Sequence, residues 1–136
     1  MKNDKIILTG FTDLDGATGG FKKGDLIVLA SRPSQGKTAL ALNIVYNVAV
    51  MQKKLPVALF SLETGGKVIY ERMACAHSQI ERFRISEDIL TKEEWKNFAL
   101  KIGELIKAPL FIFDKPALYI KDIKNNIADK TRGWSV

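Results

Sequence analysis

An α/β fold, a mostly parallel sheet flanked by helices, is what this sequence predicts, and three observations predict it. The apolar run Asp25-Leu26-Ile27-Val28-Leu29-Ala30 reads as a buried strand. It leads through Ser31-Arg32-Pro33-Ser34-Gln35-Gly36-Lys37-Thr38 into the apolar segment 39–51, which reads as a helix. Two further apolar runs of strand length, 57–62 and 110–113, alternate with stretches of helical periodicity. The first of these ends at Glu63, the end of a strand where open α/β sheets place their chemistry.

The elements follow in chain order. Residues 1–24 form a leader rich in Gly and Thr, where turns are expected, with Ile6-Ile7-Leu8 as a short edge strand. Phe11, Leu14 and Phe21 are expected to pack it onto an α/β core spanning 25–130. The helix after the loop is apolar almost all round (Leu40, Leu42, Ile44, Val45, Val48, Val50), so it requires cover on most sides. Asn43 and Asn47 share its one polar face, and Gln52-Lys53-Lys54 ends it. After the strand 57–62, Gly65-Gly66 breaks the chain, and Val68, Ile69, Arg72, Met73 and Ala76 recur at helical spacing. Ile80, Phe83 and Ile85 anchor the mixed stretch 78–90. Thr91 and Glu94 make a capping box that opens an amphipathic helix with the face Trp95, Phe98, Ala99, Ile102, Leu105 and Ile106. Pro109 breaks it, a third strand runs to Asp114, and Pro116 begins a turn. Ile120, Ile123 and Ile127 mark a last, basic helix.

Composition sets the outer limits. A chain of 136 residues with 46% hydrophobic and 26% charged residues has room for one domain and one modest core. The one cysteine, Cys75, excludes an internal disulfide and fits a reducing cytoplasm; among Met73, Ala74 and Ala76 it reads as a packing residue. With His77 the one histidine, there is neither a zinc constellation nor a Ser-His-Asp triad. No run is long enough to cross a bilayer, and Asp4 and Lys5 interrupt any signal-peptide pattern. The net charge of +6 permits nucleic-acid binding without establishing it, since the lysines are scattered among acids.

The loop carries the chemistry. Its backbone N–H groups and those of the first helical turn converge where the helix dipole is positive, which suits phosphate. Gly36 lets the backbone approach without a Cβ, Lys37 reaches outer phosphates, and the Thr38 hydroxyl suits Mg²⁺. Ser31 stands where the usual pattern has Gly, so an ordinary strand-to-helix turn is the alternative for the loop considered alone.

Together these motifs resemble the RecA-like motor domain of replicative DnaB-type helicases. The resemblance lies in Thr9-Gly10-Phe11-Thr12-Asp13-Leu14-Asp15, Thr18-Gly19-Gly20-Phe21 and Gly24-Asp25-Leu26-Ile27. It continues in the loop from Ala30 to Ala39, because that family's loop often lacks the first glycine and carries Arg-Pro-Ser. Phe60-Ser61-Leu62-Glu63, Leu110-Phe111-Ile112-Phe113-Asp114 and Asp122-Ile123 are similar to later family positions, as is Arg72. The resemblance implies one partial RecA-like ATPase domain over 1–136, incomplete at its C-terminus and stopping before the Walker B strand. It implies ATP and Mg²⁺ as ligands, with Ser31, Arg32, Pro33, Ser34, Gln35, Gly36, Lys37, Thr38 and Ala39 binding nucleotide, Thr38 holding the metal, and Lys37 and Glu63 in catalysis. It also implies single-stranded DNA, a homo-hexameric ring, and a primase or helicase loader as partners, in the cytoplasm. From spacing alone Glu63 is equally a solvated acid or a cap for the next helix. Two alternatives stand beside the helicase: a truncated nucleotide-binding or helicase-interacting module without catalysis, and another RecA-like ATPase.

Overall fold

A computed structural model describes residues 6–52, 55–115 and 117–131. The expected helix end at Lys53-Lys54, the turn at Pro116 and the tail from 132 to 136 lie outside them.

The two apolar runs that bracket the middle of the chain become neighbours. β3 (Val57–Phe60) and β4 (Leu110–Phe113) pair in parallel, with Val57 opposite Leu110 and Phe60 opposite Phe113. Parallel strands require a long crossover, and three helices supply it: α3 (Gly66–Ser78), α4 (Arg82–Ser86) and α5 (Lys92–Lys107). α3 packs chiefly on α5. Its buried face is Ile69, Met73, Ala74 and Cys75, while α5 contributes Phe98 and Leu105. Leu42, Tyr46 and Ala49 from the helix after the loop complete this core, with Ile80 and Leu110. Full burial of a side chain such as Leu105 or Met73 contributes roughly 1.5–3 kcal/mol.

The capping box of α5 forms as its sequence dictates. The Glu94 amide donates to the Thr91 hydroxyl at 3.2 Å, and the Thr91 amide to the Glu94 carboxylate at 2.8 Å. The same carboxylate also receives the Arg84 guanidinium from α4, Nη2 standing 3.0 Å away. Further along α5 the amphipathic reading is too broad. Trp95 and Ile106 are exposed, because α3 covers only the stripe through Phe98, Ile102 and Leu105. Phe83 is likewise exposed and does not anchor its segment: the short α4 turns it outward, whereas Ile80 is buried.

The leader is more ordered than its composition suggests. β1 (Ile6–Ile7) pairs antiparallel with β2 (Phe21–Lys22), and between them lies a helix, α1 (Thr12–Thr18), instead of turns alone. Side-chain hydrogen bonds explain the helix. The Asp15 carboxylate accepts from the Thr9 amide at 2.7 Å, the Thr9 hydroxyl at 2.8 Å and the Gly10 amide at 3.0 Å. Desolvation alone would raise the Asp15 pKa, but these donors hold the carboxyl below its usual range. Gly19, at φ 74°, ends α1 in the left-handed conformation.

α2 (Lys37–Tyr46) follows the loop and widens into a π-helical turn, Asn47–Met51. There the Asn47 amide group donates to the Thr9 carbonyl at 2.9 Å and docks the leader. Cover over α2 is partial: Leu42 and Tyr46 are buried, Leu40, Ala41, Ile44 and Val45 are half-buried, and Ala39 is exposed.

The expected strand over 25–30 is not paired. Among the described residues no strand forms a ladder with it, and Leu26 and Val28 are 91% and 79% exposed. A strand is defined by its partner's backbone, and β3–β4 leaves this segment without one.

Candidate nucleotide site

The turn of the loop into α2 is made by two residues with positive φ. Gly36 stands at φ 82°, ψ 11°, immediately before the first residue of α2, and the Leu40 amide donates to its carbonyl at 2.9 Å. An atom added at its Cβ position would meet nothing within 4 Å, so the glycine is required here by conformation and not by space. Ser34, at φ 62°, carries a side chain in the same left-handed region, a local strain of the kind that gathers at functional sites. No side chain caps α2, so its orphan N–H groups are not claimed by a capping residue. Ser31, in place of the usual glycine, turns its hydroxyl onto the Arg32 carbonyl at 3.1 Å.

The fold brings a distant pair of residues to this loop. Ser31 to Ala39, Glu63 and Arg72 line one open cavity of about 610 Å³. Glu63 reaches it from the turn after β3, and Arg72 from the exposed side of α3. All the loop residues from Ser31 to Ala39 are solvent-exposed, as a site for a soluble, highly charged ligand requires. Two cations from the loop, Arg32 and Lys37, one carboxylate and one further arginine thus line a common space beside a helix N-terminus.

Glu63 does not cap the next helix. The N-cap of α3 is Gly65, without a side-chain bond of its own. The acceptor for the first α3 amide comes from the neighbouring strand: Gly66 N–H donates to Asp114 Oδ2 at 2.7 Å. The turn carrying Glu63 is also closed internally. The Ser61 hydroxyl donates to the Thr64 carbonyl at 2.7 Å and accepts from the Thr64 amide at 3.2 Å. Sequence reasoning missed this support. Its signal was Gly65-Gly66 after one strand facing an Asp at the end of the next, a pairing visible only once β3 and β4 are known neighbours.

The remaining reactive side chains are structural. Burial raises the Cys75 pKa, so its thiol stays protonated. His77 stacks on Tyr46 with centroids 3.4 Å apart; burial first, and then the Lys101 charge, lowers its pKa. Among the described residues no group of three or more His, Cys, Asp or Glu side chains is placed to hold a metal, and no helix is long and apolar enough to cross a membrane.

Residues 7–133 match the family described as DnaB-like helicase C terminal domain. The chain is 42% identical over 118 residues to the replicative DNA helicase DnaC of Bacillus subtilis, and 43% identical to the replicative DNA helicase DnaB of Geobacillus stearothermophilus. Each alignment covers 87% of this chain and 26% of the relative, so the chain spans about a quarter of their length. A solved structure described as a DnaB-like replicative helicase and its interactions with primase superposes with a TM-score of 0.86 at 30% identity. That match covers 98% of this chain and 33% of the other. The superposition identifies the fold as RecA-like, which the two short ladders alone do not.

Proposed function

The chain belongs to the DnaB-like helicase C-terminal domain family, and we propose that it is the nucleotide-binding part of an ATP-dependent replicative DNA helicase motor. One observation carries the reading: the loop Ser31–Ala39, Glu63 and Arg72, far apart in sequence, line a single cavity. In this reading the amides of Ser34 to Thr38 and the N-terminus of α2 hold phosphates, and Lys37 neutralises the outer ones. Glu63 orients the attacking water by accepting its hydrogen bond, and Arg72 adds positive charge at the rim.

The donor set fits Mg²⁺ in one respect. The Thr38 hydroxyl is a hard oxygen ligand at the cavity wall, and Mg²⁺ takes few protein ligands and keeps waters and phosphate oxygens. When bound, that ion supplies charge neutralisation of the phosphate oxygens. The division into a leader, 1–24, and an α/β core, 25–130, belongs to this proposal. So do single-stranded DNA, further copies in a homo-hexameric ring, and a primase or helicase loader as partners of the whole motor.

A second reading, nucleotide binding without turnover, is favoured by the cavity's charge: Glu63 is the one carboxylate among its lining residues. Both readings require binding, so calorimetry with Mg·ATP is the first test. Lys37→Ala is expected to weaken affinity about tenfold or more, the order of a lost charge-assisted contact. Equal affinities for the two proteins overturn the nucleotide site. A Glu63→Gln variant that binds as the parent does, and differs in hydrolysis alone, separates turnover from binding.

A further inference from the structure

We propose that Asp114 is a positioning residue for Glu63: its carboxylate fixes the far end of the turn that carries Glu63 to the phosphate loop. The inference rests on the nucleotide-site reading above and adds a residue outside that cavity.

The geometry builds from the sheet. The β3–β4 register ends with Phe60 opposite Phe113, and the Ser61 amide adds one more rung by donating to the Phe113 carbonyl at 2.9 Å. Beyond that rung the strands diverge: residues 61–65 turn into α3, and Asp114 follows at the tip of β4. The near end of the turn is therefore held by the ladder, and its middle by the reciprocal Ser61–Thr64 bonds. The far end is the N-terminus of the thirteen-residue α3, where Gly65 offers no cap. Asp114 Oδ2 takes the Gly66 N–H at 2.7 Å and places a negative charge where the helix dipole favours it. A Cβ at residue 66 would stand 3.4 Å from Asp114 Oδ2, an ordinary contact, so the bond depends on the Asp114 side chain and not on glycine at this position.

Glu63 thus sits between two anchored ends while its side chain remains exposed. A carboxylate that orients water must be held within a fraction of an ångström, and side chains on turns depend on such support. Asp114 supplies it through the backbone of residues 63–66 and never touches the ligand.

Heteronuclear NMR on the full chain tests this, with the parent, Asp114→Ala and Asp114→Asn compared with and without Mg·ATPγS. In Asp114→Ala the Gly66 amide is expected to exchange with solvent at least tenfold faster, and the backbone order of Glu63 to fall. The shift changes of Gly36 and Lys37 on adding nucleotide, and the affinity, are expected to stay within about twofold, a separation that a general loss of structure would not give. Asp114→Asn keeps an acceptor oxygen without the charge, so it is expected to restore Glu63 order and to leave Gly66 exchange only several-fold faster. Parent-like exchange and order in Asp114→Ala overturn the proposal, and so does an equal disturbance of the phosphate loop. Should Asp114→Ala not fold, parent-like Gly66 exchange in Asp114→Asn overturns it. A parent chain whose Gly36 and Lys37 ignore nucleotide overturns the nucleotide site instead and leaves the Asp114–Glu63 measurement standing.

Discussion

The Tyr46 hydroxyl donates to the Glu104 carboxylate at 2.7 Å, fastening the helix that follows the phosphate loop to α5. Tyr46 is fully buried and stacked on His77, and Glu104 also receives the Lys101 ammonium at 3.0 Å. Burial first, and then Glu104, raises the Tyr46 pKa, so the phenol remains a donor at any physiological pH. Tyr46→Phe keeps the ring and the stack and deletes this bond alone. It is expected to cost about 1–1.5 kcal/mol in urea unfolding, the low end for a bond to a charged acceptor because Glu104 is partly solvated. An unchanged midpoint would show that α2 and α5 are held by packing only.

Gly36→Ala isolates the backbone contribution of the loop. With open space at the Cβ position, the cost comes from φ 82° and amounts to about 1–2 kcal/mol. The variant is expected to melt slightly earlier and to bind nucleotide more weakly, by roughly tenfold if the loop leaves this conformation. Parent-like affinity would mean that phosphate binding does not use the left-handed form.

Acid should expose the role of Glu94. The Thr91 amide first, and then the Arg84 guanidinium, hold its pKa at about 2, against 4.5 for a free side chain. Its folded-state pKa is the lower one, so its stabilisation is complete above pH 4.5 and is lost as pH falls toward 2. Glu94→Gln is expected to be the less stable protein at pH 7, with the gap closing through that window in denaturant titrations. A gap that stays constant with pH would place the loss in packing instead of charge.

Affinity for single-stranded DNA should be weak and governed by salt. The chain carries +6 net charge, spread among acids, and diffuse charge binds phosphates through counterion release. Raising salt from about 50 to 200 mM is expected to lower affinity tenfold or more, read by fluorescence anisotropy of a labelled oligonucleotide. Tight binding that survives the higher salt would reveal a stacking or base-reading surface.

Much of the arrangement was legible because it is local. The capping box of Thr91 and Glu94, the start of α2 just after Gly36 and the apolar runs that became β3 and β4 are each fixed by a few adjacent residues. The family motifs around Ser31–Ala39 and Phe60–Glu63 are equally local, which is why they could be read without coordinates. The strand over 25–30 failed for the opposite reason: apolar content marks a segment that wants burial, but only a partner's backbone makes it a strand.

The sequence by itself therefore determined which residue types stand at the loop and at the strand ends, since those depend on short-range pattern and chemistry. Tertiary structure alone decided that Glu63 and Arg72 share the loop's cavity, that Asn47 docks the leader through Thr9, and that Asp114, not Glu63, caps α3. Each of these joins residues distant in the chain. Their meeting follows from the parallel register of β3 and β4 and the packing of α3 on α5, which no local periodicity encodes.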